Sequence, residues 1–225
     1  MRAMILAAGR GERMRPLTDT CPKPLLLAGG KPLIAWHLEA LAAAGFREVV
    51  INHAHLGTLL ERALGDGARW GLRISWSPEN PALETAGGIA HALPLLGGEP
   101  FLVINGDVFS DFPLARARTI AAQMAAARLL AWCVLVPNPP HHPDGDFALA
   151  DGLLDAGRRN LTFSGIGVYR PELFAGLDPD APARLAPLLR EAAARGRVGA
   201  ELHDGRWIDV GTPERLAAVD AQLRR

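Results

Sequence analysis

The stretch AMILAAGRGERMRPLT, residues 3–18, passes from an apolar run of strand length into a segment rich in glycine and arginine. Residues 3–7 are all apolar, which is typical of a strand buried on both faces of a parallel sheet. The small residues at the end of this run and just beyond it are Ala7, Ala8, Gly9 and Gly11. Because small side chains let backbone N–H groups approach an anion closely, the stretch predicts a strand followed by a phosphate-binding loop.

Apolar runs of strand length alternate with segments of helical periodicity as far as Pro137. We predict strands at residues 48–52, 72–77, 101–106 and 129–136. We predict helices at residues 33–45, 56–67, 85–96 and 114–127. This alternation is typical of an α/β fold, in which a mostly parallel central sheet is flanked by helices.

The composition changes at the proline- and histidine-rich segment PNPPHHPDGD, residues 137–146. Beyond this segment we predict strands at residues 147–150 and 160–170 and helices near residues 184–195 and 213–224. No internal repeat or low-complexity linker separates the two parts. We therefore predict a single domain over residues 1–225, in which the second part completes the sheet and closes one side of a cleft.

The overall composition is that of an ordinary globular chain, since 225 residues with 49% hydrophobic content are enough for one sizeable core. Lys+Arg and Asp+Glu are both 24, and zero net charge argues against non-specific binding to nucleic acid or an anionic membrane. The apolar run at residues 3–8 is too short for a signal peptide, and Cys21 and Cys133 match no zinc or disulfide pattern. We predict a soluble cytoplasmic protein, a monomer or weak homo-oligomer, with no nucleic-acid or membrane partner.

Two common phosphate-binding motifs do not account for the opening loop. A dinucleotide fingerprint needs a third small residue after Gly9 and Gly11, and Met14 stands in that place. A Walker A loop needs Ser or Thr after its Gly-Lys pair, whereas Lys31 is followed by Pro32. A phosphate site of another kind is therefore expected.

Three arginines and one lysine follow the small residues. The arginines are Arg10, Arg13 and Arg15, and guanidinium groups are suited to phosphate oxygens. Lys23 stands between two prolines, which restrict the backbone and stiffen the loop that carries the charge. We expect Arg13 and Lys23 to form a pair of cations around a polyphosphate; a solvated basic turn is the alternative.

The string LAAGRGERMRPLTDTCPKPL, residues 6–25, resembles the signature of the nucleoside-diphosphate-sugar pyrophosphorylases, also called sugar-1-phosphate nucleotidyltransferases. ETAGGI at 84–89 resembles the base-binding turn of this family, and NGD at 105–107 resembles its metal-binding strand end. WIDVGTPERL at 207–216 is similar to its C-terminal metal motif, so the resemblance spans nearly the whole chain. It implies a Rossmann-like, GT-A-like nucleotidyltransferase fold, with residues 1–137 binding nucleotide and 138–225 binding sugar.

The resemblance also implies a set of site residues. Arg13 and Lys23 would be catalytic, and Asp107 and Asp209 would hold Mg²⁺, which typically takes one or two protein carboxylates plus phosphate oxygens. The implied nucleotide-binding residues are Ala7, Ala8, Gly9, Gly11, Glu12, Arg13, Lys23, Ala86 and Gly87. The implied sugar contacts are Asn105, Asp146 and Thr162.

The implied reaction is an in-line attack by a sugar-phosphate oxygen on the α-phosphorus of a nucleoside triphosphate, with pyrophosphate as the leaving group. INHAHLG at 51–57 and LETAGGI at 83–89 most resemble the branch of the family that uses UTP and N-acetylmuramic acid α-1-phosphate in peptidoglycan-sugar recycling. Alternatives are mannose-1-phosphate guanylyltransferase and glucose-1-phosphate uridylyl- or thymidylyltransferase chemistry. A non-catalytic regulator that binds nucleotide sugars is the alternative from another class.

Two departures from the family leave questions open. Many relatives carry an E-K-P motif whose lysine holds the sugar phosphate, and the corresponding segment LLDAGRRNLTFSG has no lysine, so Arg158 or Arg159 is the candidate substitute. Glu84 stands where the family's base-binding loop has its first glycine, which leaves the base preference open.

The pair His53 and His55 lacks a third clustered ligand, and we interpret both as polar loop residues.

Overall fold

The computed structural model describes residues 1–224. Its strands are β1 (Ala3–Leu6), β2 (Leu27–Ala28), β3 (Lys31–Pro32), β4 (Glu48–His53), β5 (Arg73–Pro78), β6 (Phe101–Asn105), β7 (Val108–Ser110), β8 (Ala131–Pro137), β9 (Ala148–Ala150), β10 (Leu153–Asp155), β11 (Leu161–Tyr169), β12 (Val198–Leu202) and β13 (Trp207–Asp209). Its α-helices are α1 (Leu33–Ala43), α2 (Gly57–Leu64), α3 (Glu84–Leu96), α4 (Ala117–Ala126), α5 (Leu185–Ala194) and α6 (Pro213–Leu223).

A nine-stranded sheet in the order β5-β4-β1-β6-β11-β8-β12-β10-β9 forms the centre of the molecule. The pairs β5–β4, β4–β1, β1–β6 and β8–β12 are parallel, whereas β11 and β10 are antiparallel to their neighbours. The strand β11 lies between β6 and β8, so the chain after Pro137 shares one sheet with the chain before it. Two small two-stranded sheets, β13–β7 and β2–β3, lie beside it.

Both faces of the sheet are covered by helices, because apolar side chains of successive residues alternate between the two faces. Ala3 and Ile5 of β1 join a buried cluster with residues of α1, α2 and α4, whereas Met4 joins a second cluster with residues of α3 and α5. The molecule therefore has three layers, with the sheet in the middle. The predicted α/β fold with a mostly parallel, helix-flanked sheet is confirmed.

A third, smaller cluster ties the C-terminal helix to the loop after β1. Met14, Leu26 and Leu33 pack there against Val210 and Val219, and all five are buried. Asp220 of α6 also accepts a hydrogen bond from the Gly29 N–H at 2.8 Å. The C-terminal helix is thus held against the segment that follows β1.

The structure adds strands that periodicity does not predict, namely the short β2–β3 hairpin, β7, β10, β12 and β13. The predicted helix at 114–127 is divided into a 3-10 turn, Leu114–Arg116, and α4. No helix within residues 1–224 has both the length and the apolar character needed to cross a bilayer.

Candidate active site

A cavity of about 450 Å³ opens at the carboxyl ends of three neighbouring parallel strands. Leu6 of β1, Asn52 of β4 and Asn105 of β6 line it, and ligands of α/β sheets bind at this edge. The predicted site residues that line the cavity are Ala7, Ala8, Gly9, Gly11, Glu12, Arg13, Lys23, Asn105 and Asp107. Most of the residues predicted to bind nucleotide therefore surround one space.

The loop after β1 is held by its own packing. Gly11 has φ +71°, and a Cβ there would lie 3.0 Å from Thr18 Cγ2, so both conformation and space favour glycine. The Thr18 hydroxyl donates to the Gly11 carbonyl at 2.9 Å. The next residues form a 3-10 turn, Glu12–Met14, whose last side chain is buried. These contacts fix the direction in which Arg13 leaves the loop.

Only one of the three arginines of this loop lines the cavity. Arg10 Nε pairs with Glu12 Oε1 at 2.7 Å, and Arg15 Nε pairs with Asp19 Oδ1 at 2.8 Å, both on the exposed surface. Arg13 forms no ion pair within residues 1–224 and stands at the cavity. The structure thus separates Arg13, the arginine predicted to lie at the site, from Arg10 and Arg15.

Lys23 and Asp107 form an ion pair inside the cavity. Lys23 Nζ donates to Asp107 Oδ2 at 2.6 Å, and the lysine side chain is 12% exposed. Lys23 opens the 3-10 turn Lys23–Leu25, which Pro22 precedes in an extended conformation. Lys31, the other lysine of the chain, instead pairs with Glu39 and lies over the Trp36 ring. Lys23 is therefore the lysine available to a ligand of the cavity.

The short β7–β13 ladder brings Asp209 beside Asp107. Val108 pairs with Asp209, and the Val210 N–H donates to the Asp107 carbonyl at 2.7 Å. Gly106 allows β6 to turn into β7 here, since a Cβ at this residue would lie 2.7 Å from the Leu6 carbonyl oxygen. The backbone of Asp209 therefore lies next to that of Asp107, and Asp107 lines the cavity whereas Asp209 does not.

The Asp209 carboxylate has partners of its own. Arg215 Nη1, in the first turn of α6, lies 2.6 and 2.7 Å from its two oxygens. His141 Nε2, from the proline-rich segment, lies 2.8 Å from Asp209 Oδ1 and 2.6 Å from Arg215 Nη1. Asp209 is therefore the centre of an ion cluster, which we call the Asp209 cluster: Asp209, Arg215 and His141.

The two carboxylates suit Mg²⁺ in chemical type, because this ion takes one or two protein carboxylates and completes its shell with phosphate oxygens. Among residues 1–224, no group of three or more His, Cys, Asp or Glu side chains could hold a metal by itself. A cation at Asp107 and Asp209 would thus need substrate oxygens, and at Asp209 it would compete with Arg215. Mg²⁺ binding remains a prediction.

The predicted base-binding residues Ala86 and Gly87 lie in the first turn of α3 and are buried. Their N–H groups donate to the Ala183 carbonyl at 2.8 and 3.1 Å, so these groups do not face the cavity. The cavity is lined instead by the two preceding residues, Glu84 and Thr85. Glu84 has φ +61°, so the backbone keeps the left-handed conformation that a glycine at this position adopts without strain.

The predicted sugar contacts are not brought together at the cavity. Asn105 lines it, and Gly165 makes room for the Asn105 side chain, since a Cβ would lie 2.6 Å from its Nδ2. The Asp146 carboxylate accepts from the Phe163 N–H at 2.9 Å and contacts His142. The Thr162 hydroxyl is buried and donates to Asn138 Oδ1 at 2.9 Å. Asp146 and Thr162 thus join the proline-rich segment to β11, and sugar binding by them remains a prediction.

Arg158, a candidate substitute for the missing lysine, pairs with Asp155 at 2.7 Å on the exposed surface outside the cavity lining. Arg159 is exposed and does not line the cavity. His53 pairs with Glu61 at 2.7 Å, and His55 Nε2 lies 3.1 Å from the Thr18 carbonyl oxygen. His55 lies in a loop, as the sequence indicates, whereas His53 is the buried last residue of β4, so its interpretation as a loop residue is wrong.

A buried polar network that no sequence motif predicts forms part of the cavity lining. Asn52 Oδ1 accepts from the Ala7 N–H at 2.8 Å, and its Nδ2 donates to Glu79 Oε1 at 2.7 Å. Glu79 Oε2 accepts from the Leu83 N–H at 2.8 Å. Asn52 and Glu79 are 2% and 6% exposed, and a Cβ at Gly88 would lie 2.5 Å from Glu79 Oε1. The network joins β1, β4 and the turn before α3.

His37 of α1 lies behind the strand end that carries Asp107. Burial lowers the pKa of its imidazole from 6.5 to about 4, although the nearby Asp107 charge and the Gly106 and Val108 backbone act in the opposite direction. The imidazole is therefore neutral at pH 7. It fills the space between α1 and the turn from β6 to β7 without adding charge to the site.

Comparisons with known proteins agree with this architecture. The nucleotidyl transferase family model matches residues 2–146. N-acetylmuramate alpha-1-phosphate uridylyltransferases are 56% identical in Neisseria meningitidis serogroup B and 40% identical in Caulobacter vibrioides. The alignments cover 98% of this chain in both cases, and 97% and 96% of those proteins.

Solved structures share the fold at much lower sequence identity. A provisionally named glucose-1-phosphate thymidylyltransferase from Bacillus anthracis, in complex with sucrose, superposes with a TM-score of 0.86 at 20% identity. The superposition covers 100% of this chain and 96% of the other. With the family model and the full-length relatives, these findings show that the chain belongs to the nucleotidyl transferase family, as its motifs predict.

Proposed function

We propose that this nucleotidyltransferase joins UTP to N-acetylmuramic acid α-1-phosphate, giving UDP-N-acetylmuramic acid and pyrophosphate. The observation that carries the proposal is the full-length similarity to two N-acetylmuramate alpha-1-phosphate uridylyltransferases, combined with a cavity that contains Arg13, Lys23 and Asp107. The product is a cell-wall sugar nucleotide, and the use of UTP places the reaction in the cytoplasm. Its partners are the two substrates.

In the proposed reaction, an oxygen of the sugar phosphate forms a bond to the α-phosphorus of UTP. The bond from that phosphorus to the oxygen bridging to the β-phosphorus breaks, and pyrophosphate leaves with the bonding electrons. A sugar phosphate is already ionised at neutral pH, so no side chain is needed to remove a proton. The task of the protein is therefore to position two polyanions and to offset their charge.

The cations of the cavity suit this task. Lys23 lies at Asp107 and can donate to an α-phosphate oxygen, while Arg13 enters from the glycine-rich loop toward the leaving pyrophosphate. Asp107 and Asp209 would hold Mg²⁺, which would offset charge on the phosphate oxygens that it contacts. The Asn52 network keeps the backbone at Ala7 in place below the nucleotide.

The sugar side is formed by residues 137–146, where several prolines restrict the backbone. N-acetylmuramic acid differs from N-acetylglucosamine by a lactyl ether at C3, which adds bulk and a carboxylate. A wall that holds its own shape leaves room for that group, and His141 of the Asp209 cluster adds a polar surface there. Asn105, Asp146 and Thr162 are the proposed further supports of this side.

The test is pyrophosphate release from a panel of nucleotides and sugar 1-phosphates with Mg²⁺. We expect kcat/KM with UTP to favour N-acetylmuramic acid 1-phosphate over N-acetylglucosamine 1-phosphate by at least ~10-fold, which corresponds to about 1.4 kcal/mol. Equal use of the two sugars, or a preference for GTP with mannose 1-phosphate, would contradict the proposed substrates. Absence of pyrophosphate release from every pair would instead support the non-catalytic alternative.

A further inference from the structure

We propose that Arg215 binds the anionic group of the sugar substrate, and that it becomes free to do so when a divalent cation replaces it at Asp209. The inference rests on the proposed function, because it needs a sugar substrate that carries a phosphate or a carboxylate. It assigns a function to an arginine that lies outside the phosphate loop.

The contact between Arg215 and Asp209 supports this role. A single nitrogen, Nη1, contacts both Asp209 oxygens, so the planar fork of the guanidinium is not used on the carboxylate. The Nη2 group lies over Gly211, which lines the cavity, and a Cβ at this residue would overlap it. Arg215 therefore keeps Nη2 off the carboxylate and next to a glycine that lines the cavity, while Nη1 holds Asp209.

The charged side chains around Gly211 also support this role. Arg13 Nη2 also approaches Gly211, 3.2 Å from the position of a Cβ, so two guanidinium groups lie close to this glycine. Asp209 pairs with Arg215, and the neighbouring Asp107 pairs with Lys23, so Arg13 adds a positive charge that neither carboxylate offsets. Like charges so close repel each other, and an anion bound by either guanidinium offsets the repulsion.

A divalent cation and Arg215 would compete for the Asp209 carboxylate. A divalent cation bound to this carboxylate repels the guanidinium that holds both of its oxygens. The backbone of Arg215 stays where it is, because its N–H faces the capping Thr212 side chain at 3.4 Å and α6 is packed through Val219. A displaced Arg215 side chain can therefore swing only locally, past Gly211 and toward the segment that carries His141.

The position of Arg215 favours the sugar substrate over the nucleotide. Lys23 and the glycine-rich loop lie at the carboxyl ends of β1 and β6, where the triphosphate is expected. Arg215 approaches from α6 and contacts His141, which belongs to the segment proposed to form the sugar side. Its target is then the 1-phosphate or the lactyl carboxylate of the sugar.

The exchange predicts effects of opposite sign in one variant, Arg215→Ala. Binding of Mn²⁺ to the enzyme without substrates, followed by electron paramagnetic resonance, should tighten by at least ~3-fold because the competing guanidinium is gone. The KM for N-acetylmuramic acid 1-phosphate should rise by at least ~10-fold, while the KM for UTP should change by less than ~2-fold. A general structural defect would instead weaken the binding of Mn²⁺, of the sugar phosphate and of UTP.

Arg224→Ala is the matched control, since it removes the same charge from a surface pair with Asp220 at the end of α6. We expect wild-type values from it in all three measurements. Arg215→Lys keeps the charge without the fork and should bind Mn²⁺ as the wild type does, with a sugar KM between those of the wild type and Arg215→Ala. If Arg215→Ala is unstable in thermal melts, Arg215→Lys provides the decisive comparison with Arg224→Ala.

Two sugars identify the anionic group. A similar loss of kcat/KM for N-acetylmuramic and N-acetylglucosamine 1-phosphates assigns Arg215 to the phosphate, and a loss confined to the former assigns it to the carboxylate. Unchanged or weaker Mn²⁺ binding in Arg215→Ala, or an unchanged sugar KM, would overturn the proposal. Failure of the wild type to use either sugar would instead overturn the proposed function, and the Mn²⁺ titration would still test the exchange at Asp209.

Discussion

The two sides of the cavity are held by different kinds of contact. On the strand side, Ala7, Asn52 and Glu79 form a buried network that ends on backbone N–H groups. On the C-terminal side, the Asp209 cluster joins partly exposed charged side chains to one another. Buried polar groups cannot lose a partner without a large cost, whereas exposed ion pairs can exchange partners cheaply. We therefore expect the hydrogen bonds of the strand side to stay intact and the ion pairs of the C-terminal side to exchange partners.

The largest effect should come from the two carboxylates that connect these sides. Asp107→Asn and Asp209→Asn should each lower kcat/KM by about 10³-fold, or about 4 kcal/mol, because a neutral amide leaves the proposed Mg²⁺ under-coordinated. Folding should be largely spared. Steady-state pyrophosphate release over a Mg²⁺ titration, together with thermal melts, provides the measurement, and near-normal turnover at saturating Mg²⁺ in either variant would refute the metal assignment.

The next effect concerns the buried imidazole of the strand side. His37 binds its proton more weakly in the folded protein, with a pKa of about 4 against 6.5, so the unfolded chain takes up more protons between these values. Its contribution to stability is fully present above pH 6.5 and is lost as the pH falls to 4, a loss of about 3 kcal/mol.

Urea unfolding at pH 7 and pH 4.5 measures this contribution. His37→Gln should unfold with a smaller difference between the two pH values than the wild type, whatever its stability at pH 7. Leu38→Ala, at a buried residue of α1 that carries no titratable group, is the control for a general loss of packing, and it should keep the pH dependence of the wild type. If His37→Gln kept the full pH dependence, other groups would be responsible for the acid sensitivity.

The smallest of the three effects tests the fixed side directly. Asn52→Ala removes the partner of the Ala7 N–H and of Glu79, so it should lower the free energy of unfolding by about 2 kcal/mol. His141→Ala, on the exchangeable side, should cost less than about 0.5 kcal/mol. Chemical unfolding of both variants at pH 7 makes the comparison, and equal costs would remove the distinction between the two sides.

Much of the fold follows from sequence pattern, and the exceptions have physical causes. Long apolar runs and helical periodicity predict β1, β4, β5 and β6 with their helices, because burial on both faces leaves a strong signal. The strand β13 has three residues and no fully buried side chain, so its pairing with β7 leaves no such signal. Yet that pairing is what brings Asp209 beside Asp107.

In the candidate site, too, some features follow from local sequence and others depend on how distant elements pack. The motif around Arg13 and Lys23 predicts its own loop, since the residues are close in sequence and the backbone restraints are local. The bonds from Asn52 to Glu79 and from Arg215 to His141 depend on how separate elements pack, and periodicity cannot reveal them. An asparagine directly after the apolar residues 49–51 of β4 was the available signal for the first pair.

The place of β11 in the sheet sets an order for events during synthesis. Residues 161–169 fill the gap between β6 and β8, so both of these strands keep an unpaired edge until the ribosome has released that segment. Unpaired edges of apolar strands are sites of misassociation in nascent chains. The first 137 residues carry the phosphate-binding loop and every parallel strand except β12, yet β6 and β8 are joined only through β11, so we expect the growing chain to be most prone to misassociation before β11 emerges.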